Sequence, residues 1–253
     1  MAQKIVIANF KMNKVDEEVS NYLSTLIPAT ANTKAQIVLA VPSVSIKTAS
    51  TKCDGTSIMI AGQNVNSNAF GAFTGEVNSE MLKSVGAKAV LVGHSERRIK
   101  FDETDEQINK KIMSALRNGL ICIFCIGETL FERKNNLTAE VISKQLRSGL
   151  KSIYANELKN IVIAYEPVWS IGTGVLPQKE QIADAIKQIK TELAQMYDEQ
   201  IAKDVSVVYG GSVTETNCKE ISKISQLGGV LVGGTSLVPE KFAKIVACFE
   251  SKR

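Results

Sequence analysis

Residues 161–166 read IVIAYE: Ile161, Val162, Ile163, Ala164 and Tyr165, closed by the carboxylate of Glu166. Every position before the carboxylate is apolar or aromatic, so neither face of the extended chain suits water. That is the composition of a strand in a parallel sheet covered on both sides. Seven other runs share this character: IVIANF from Ile5, QIVLAV from Gln36, SIMIAG from Ser57, AVLVG from Ala89, LICIFCIG from Leu120, VSVVYGG from Val205 and GVLVGG from Gly229. An antiparallel sheet with one wet face would alternate polar and apolar residues more regularly.

Between the runs the apolar residues recur at helical spacing, as at Ile108, Ile112 and Leu116, or at Ile182, Ile186, Ile189 and Leu193. Thr104 followed three positions later by Gln107 forms a capping box, and Gly119 closes that helix. Eight strand-helix units of about 32 residues fill the chain and leave no room for a linker. The expectation is an α/β fold: one domain over residues 1–253, an eight-stranded parallel (β/α)8 barrel with its helices outside. An open doubly wound sheet would begin with a glycine-rich turn after the first strand, where this chain has Asn9, Phe10, Lys11, Met12 and Asn13.

Composition narrows the function classes. Hydrophobic residues make up 44% and charged residues 22%, enough for a large core. The net charge of +4 is spread without a basic arm or stripe, which argues against nucleic acid as a partner. No segment approaches the ~20 apolar residues that cross a bilayer, and the N-terminal run lacks the features of a signal peptide. Five irregularly spaced cysteines suggest no disulfide framework, so a reducing, cytoplasmic setting is expected. Cys122 and Cys125 have CxxC spacing, but on a strand they point to opposite faces and read as core.

In a barrel of this kind, reactive groups gather at the carboxyl ends of the strands. Asn9 and Lys11 follow the first run, His94 and Glu96 the fourth, Glu166 the sixth, and Gly233 and Gly234 the eighth. His94 is the only histidine and stands at the entry to a short helix beginning SERR, where the helix end should depress its pKa and keep the ring neutral. A structural cap is the alternative. Glu166 is costly to bury unless used or paired. Pro167 then opens PVWSIGTG, whose glycines suit a hinged lid that would exclude water, whereas pairing with a lysine is the plainer account. Lys11 lies at the mouth, where its cation could attract phosphate and a developing oxyanion, though it could also be a surface lysine. Gly172 with Gly174, Gly210 with Gly211, and Gly233 with Gly234 allow close backbone approach to an anion. The Gly172-Thr173-Gly174 stretch does not continue into a dinucleotide fingerprint, because Pro177 replaces the third glycine.

The chain resembles the triosephosphate isomerase family through NFKMN at 9–13, AGQNV at 61–65, GAFTGE at 71–76, GHSERR at 93–98, CIGE at 125–128, AYEPVWSIGTG at 164–174, YGGSV at 209–213 and VGGTSL at 232–237. The resemblance implies a cofactor-free, metal-free enzyme that interconverts glyceraldehyde 3-phosphate and dihydroxyacetone phosphate in glycolysis and gluconeogenesis. It implies that Glu166 moves the proton, that His94 is a neutral electrophile, that Lys11 and Asn9 contact substrate, and that Glu96 supports them. Gly172, Ser212, Gly233 and Gly234 would then bind phosphate, with Ile171 and Leu231 as an apolar clamp over Glu166.

The segment from Gln63 to Glu76 is long for a compact domain. The resemblance implies that this loop, with Phe73 and Thr74 near its tip, enters a second subunit of a homodimer. A self-packed loop is the alternative. Ser170, Thr235 and the triplet Val175, Leu176, Pro177 depart from the family's usual residues, and Pro177 is expected to alter opening of the lid. Two rival functions remain at this stage: a Schiff-base aldolase using Lys11, and an inactive phosphate-binding barrel.

Overall fold

In a computed structural model, residues 3–171 and 176–250 are described. Their strands are β1 (Ile5–Asn9), β2 (Gln36–Ala40), β3 (Ile58–Gly62), β4 (Ala89–Val92), β5 (Ile121–Ile126), β6 (Ile161–Tyr165), β7 (Ser206–Tyr209) and β8 (Gly229–Val232). All pair in parallel with their neighbours, and β8 returns to β1 through Ile5↔Gly229 and Ile7↔Leu231, closing the barrel. The strands match the apolar runs and mostly stop one or two residues earlier; β4, β5, β7 and β8 each end at the glycine that follows them.

The described α-helices are α1 (Asp16–Ala29), α2 (Ile46–Lys52), α3 (Ser79–Ser84), α4 (Ser95–Lys100), α5 (Asp105–Arg117), α6 (Leu130–Lys134), α7 (Thr138–Gly149), α8 (Lys179–Met196), α9 (Glu199–Asp204), α10 (Cys218–Ile221) and α11 (Pro239–Cys248). Helix α5 starts at the expected capping box: the Thr104 amide donates to Gln107 Oε1 at 2.9 Å, and the Gln107 amide donates to Thr104 Oγ1 at 3.3 Å. No described helix is long and apolar enough to cross a membrane.

Two apolar clusters explain why the strands are apolar throughout. Val6 and Ala8 of β1 face the helical shell, whereas Ile7 faces the lumen with Val38, Leu91, Ile123, Val162, Val208 and Leu231. Strand alternation therefore divides each run between two dry environments. Cys122 lies in the outer cluster and Cys125 in the lumen, both as buried free thiols.

One expectation is overturned. Cys218 and Cys248 form a disulfide. They are 30 residues apart, so spacing carries no signal, and only the packing of α10 against α11 brings their Cα atoms to 5.9 Å.

Candidate active site

Glu166 follows β6 directly, and its amide donates to Ile126 O at 2.7 Å, which continues the ladder with β5 for one more residue. The residue is only 2% exposed. Oε2 accepts the Ser95 amide at 2.9 Å, and Oε1 lies 3.0 Å from His94 Nε2. Gly127 makes this placement possible, because a Cβ there would sit 1.7 Å from the Glu166 carbonyl oxygen.

His94 caps α4. Its Nδ1 accepts the Glu96 amide at 3.2 Å, which requires Nδ1 to be unprotonated and leaves Nε2 as the N–H that donates to Glu166. This hydrogen-bond pattern is compatible with a ring that carries one proton, but the depression of its pKa expected from the helix end is not found. Burial pushes the imidazole down, the Glu166 and Glu96 carboxylates push it up, and the net displacement is upward. The amide bond at Nδ1 opposes a second proton, so it acts on the ring in the opposite direction to the two carboxylates.

Lys11 has φ of 51°, a left-handed conformation uncommon for a residue with a side chain. Its amide donates to Asn9 Oδ1 at 2.9 Å, and Gln63 Nε2 donates to its carbonyl at 2.8 Å. These contacts hold the turn while Nζ reaches Glu96 Oε1 at 2.6 Å. Burial raises the Glu96 carboxyl, but Lys11, with His94 and Lys100, together outweigh it and hold it below the usual range.

Asn9, Lys11, His94, Glu166, Ile171, Ser212, Leu231, Gly233 and Gly234 all border one cavity of about 380 Å³, a size that suits a small metabolite. Gly172 and Val175 lie outside the described residues. Phe73 and Thr74 do not line this cavity; they sit on the exposed 63–76 loop, whose Gly75 and Glu76 border an adjacent space reaching Lys11, His94 and Glu96. A larger groove of about 970 Å³ surrounds Lys4, Lys190 and Leu227. Lys190 donates there to Ala202 O at 2.6 Å and Lys4 donates to Leu227 O, so these ammonium groups already serve the backbone. The smaller cavity, with its opposed acid, imidazole and cation, is the chemically equipped one.

The family model for triosephosphate isomerase matches residues 4–249. The chain belongs to the triosephosphate isomerase family. It is 44% identical over 247 residues to the triosephosphate isomerase of Thermodesulfovibrio yellowstonii, covering 97% of this chain and 99% of that one. It is 40% identical over 246 residues to that of Thermoanaerobacter pseudethanolicus, with the same coverage. The crystal structure of triosephosphate isomerase from Bartonella henselae superposes with a TM-score of 0.90 at 31% identity, covering 98% of this chain and 99% of that one. The chain is thus an isomerase, in preference to an aldolase or an inactive barrel.

Three features of the isomerase site escaped the sequence reading. Glu128 is fully buried beside the start of the expected lid, where Tyr165 Oη donates to both its oxygens at 3.1 Å and Trp169 Nε1 donates to Oε1 at 2.9 Å. Burial raises its pKa, against those donors. The carbonyl of Glu128 accepts the Val168 amide at 3.0 Å, so this residue fastens the segment leaving Glu166. Asn217 braces the turn that carries Ser212, and Gly127 admits the Glu166 backbone. A buried carboxylate after a strand was the available signal for Glu128; nothing local marked the other two.

Proposed function

We propose that the isomerase interconverts glyceraldehyde 3-phosphate and dihydroxyacetone phosphate by proton transfer through an enediolate, serving glycolysis and gluconeogenesis. The observation that carries this reading is the placement of a carboxylate oxygen and an imidazole nitrogen 3.0 Å apart at one wall of the cavity. Substrate entering between them takes over the His94 hydrogen bond. Glu166 removes a proton from the carbon next to the ketone, and the electron pair moves into the new carbon-carbon double bond while charge collects on oxygen. His94 donates its Nε2 proton to that oxygen and recovers one from the neighbouring hydroxyl. Glu166 returns its proton to the second carbon, leaving an aldehyde. No atom is gained or lost.

Lys11 supplies positive charge for the enediolate and the phosphate, Asn9 contacts substrate, and Glu96 holds Lys11 in place. Ser212, Gly172, Gly233 and Gly234 take the phosphate, and Ile171 with Leu231 close over Glu166. The reaction uses neither metal nor cofactor. The chain is read as one domain over 1–253 and as a cytoplasmic homodimer in which Phe73 and Thr74 meet the second subunit. Nucleic acid and membrane are not among the partners. Phe73 and Thr74 stand exposed in the single chain, as does Phe70 at 86%, which supports a covered state in an assembly.

The test is isotope exchange at the substrate carbon with Glu166→Asp. Shortening the base should reduce exchange by roughly a hundredfold or more. Exchange at the wild-type rate would assign the proton transfer to another group.

A further inference from the structure

Cys218 is the first residue of α10 and is fully buried, whereas Cys248 ends α11 and is partly exposed. Asn217, immediately before the disulfide, spends both ends of its amide on the turn that carries Ser212. Nδ2 donates to Ser212 O at 2.8 Å, and Oδ1 accepts the Thr214 amide at 2.8 Å. The Cys218 amide donates to Thr214 O at 3.0 Å. Residues 212–214 are therefore held from the start of α10, and α10 is tied covalently to α11. A second link between α11 and this loop, Lys241 Nζ to Glu215 Oε1 at 3.3 Å, is solvent-exposed and correspondingly weak. Helix α11 itself follows the turn of Gly233 and Gly234, so the disulfide joins the helices that succeed the loops of Gly210 with Gly211 and of Gly233 with Gly234.

We propose that the Cys218–Cys248 disulfide, acting through Asn217, positions the Ser212 turn for the substrate phosphate, and that its reduction weakens substrate binding and so places the isomerase under thiol control. This rests on the reading of Ser212 as a phosphate contact. A dithiol supplies the two electrons. Its thiolate attacks the more accessible Cys248 sulfur, the S–S bond breaks, and Cys218 leaves as a thiolate that takes a proton from water. The second thiol of the reductant then displaces Cys248, which is protonated in turn, and the reductant departs as a cyclic disulfide. Cys53, Cys122 and Cys125 are buried and stay out of this exchange. Such a reversible pair is the form in which a disulfide fits a cytoplasmic enzyme.

Loosening the turn adds an ordering penalty to substrate binding. The contacts, once made, are common to bound substrate and transition state, and the reacting groups that follow β1, β4 and β6 are untouched, so KM should change more than kcat. The experiment assays the full chain after equilibration in oxidised or reduced dithiothreitol, with thiols counted by a chromogenic disulfide in denaturant. Three thiols are expected before reduction and five after. KM should rise about three- to tenfold on reduction, with kcat changed less than about twofold. Cys248→Ser should show the reduced-state KM in both media, and Asn217→Ala should raise KM in the oxidised protein. Five thiols before reduction, a KM indifferent to redox state, or a fall in thermal stability without a change in KM would each overturn the proposal. Absence of isomerase activity in both states would instead overturn the functional reading beneath it.

Discussion

In the free enzyme the Glu166 carboxylate is docked on His94: Oε1 lies 3.0 Å from Nε2, and Oε2 accepts the Ser95 amide at 2.9 Å. In the proposed mechanism the base and the electrophile satisfy each other until substrate separates them. Part of the binding energy would then go into breaking this contact, and charging His94 would strengthen it and disable both groups at once.

The pH dependence follows with a definite sign. The carboxylates of Glu166 and Glu96 hold the His94 pKa above its ordinary value of 6.5. As pH falls through that raised value the ring becomes cationic and pairs with Glu166, so kcat/KM should decline on an acid limb centred at or above about 6.5. A raised folded-state pKa also stabilises the protein below the unfolded value, and that stability is lost as pH rises through the folded value. His94→Gln keeps a donor but cannot titrate. It should lose about 10²–10⁴ in kcat, and its melting temperature should fall further below wild type near pH 5 than near pH 8. Identical pH profiles for mutant and wild type would rule out His94 as the titrating group.

Gly127 tests how tightly the position of Glu166 is set. In Gly127→Ala the new Cβ would lie 1.7 Å from the Glu166 carbonyl oxygen, so β5 and β6 must part locally. We expect a stability loss of about 1–3 kcal/mol from overpacking. A displacement approaching 1 Å should lower kcat by up to about a hundredfold. Chemical denaturation and steady-state kinetics on the same sample separate the two effects; wild-type kcat in the folded mutant would show that the strands adjust without moving the base.

Much of this was readable in the sequence because burial and chemistry left marks on single residues. Strands apolar on both faces required two dry environments, which the lumen around Ile7 and the shell around Val6 supply. Glu166 and His94 stood out as polar groups immediately after such strands. What escaped depends on groups brought from far along the chain. The donors to Glu128 come from Tyr165 and Trp169, 37 and 41 positions later, and the disulfide spans 30. The upward displacement of the His94 pKa has the same origin, since Glu166 lies 71 residues beyond Ser95, with which it shares a hydrogen bond.

Glu128 should matter both to stability and to the placement of the segment that leaves Glu166. Glu128→Gln replaces an acceptor oxygen with an amide donor in a buried site where Tyr165 and Trp169 also donate, so at least one of these hydrogen bonds is lost. The expected loss is about 1–3 kcal/mol, or a fall in melting temperature of about 2–4 °C per kcal/mol for a chain of this size. Because Val168 is fastened to the Glu128 backbone, kcat/KM should fall as well. Trp169 fluorescence offers a direct readout: an unchanged spectrum and unchanged melting would mean that the network tolerates the swap.

The subunit proposal yields a prediction at the 63–76 loop, far from the proton-transfer groups. Thr74 lies beside Phe73 on an exposed stretch, and a long cation there would have to be desolvated against the second subunit. Thr74→Arg should therefore shift the protein toward monomers in sedimentation at micromolar concentration. The monomer should also turn over more slowly, because Lys11 and His94 border the space beside Gly75 and Glu76 that a partner's loop would fill and keep dry. The slowing should diminish as protein concentration rises and dimers re-form, a dependence that damage within the barrel would not produce. A wild-type protein that sediments as a monomer at all concentrations, with full activity, would remove the second subunit from the scheme.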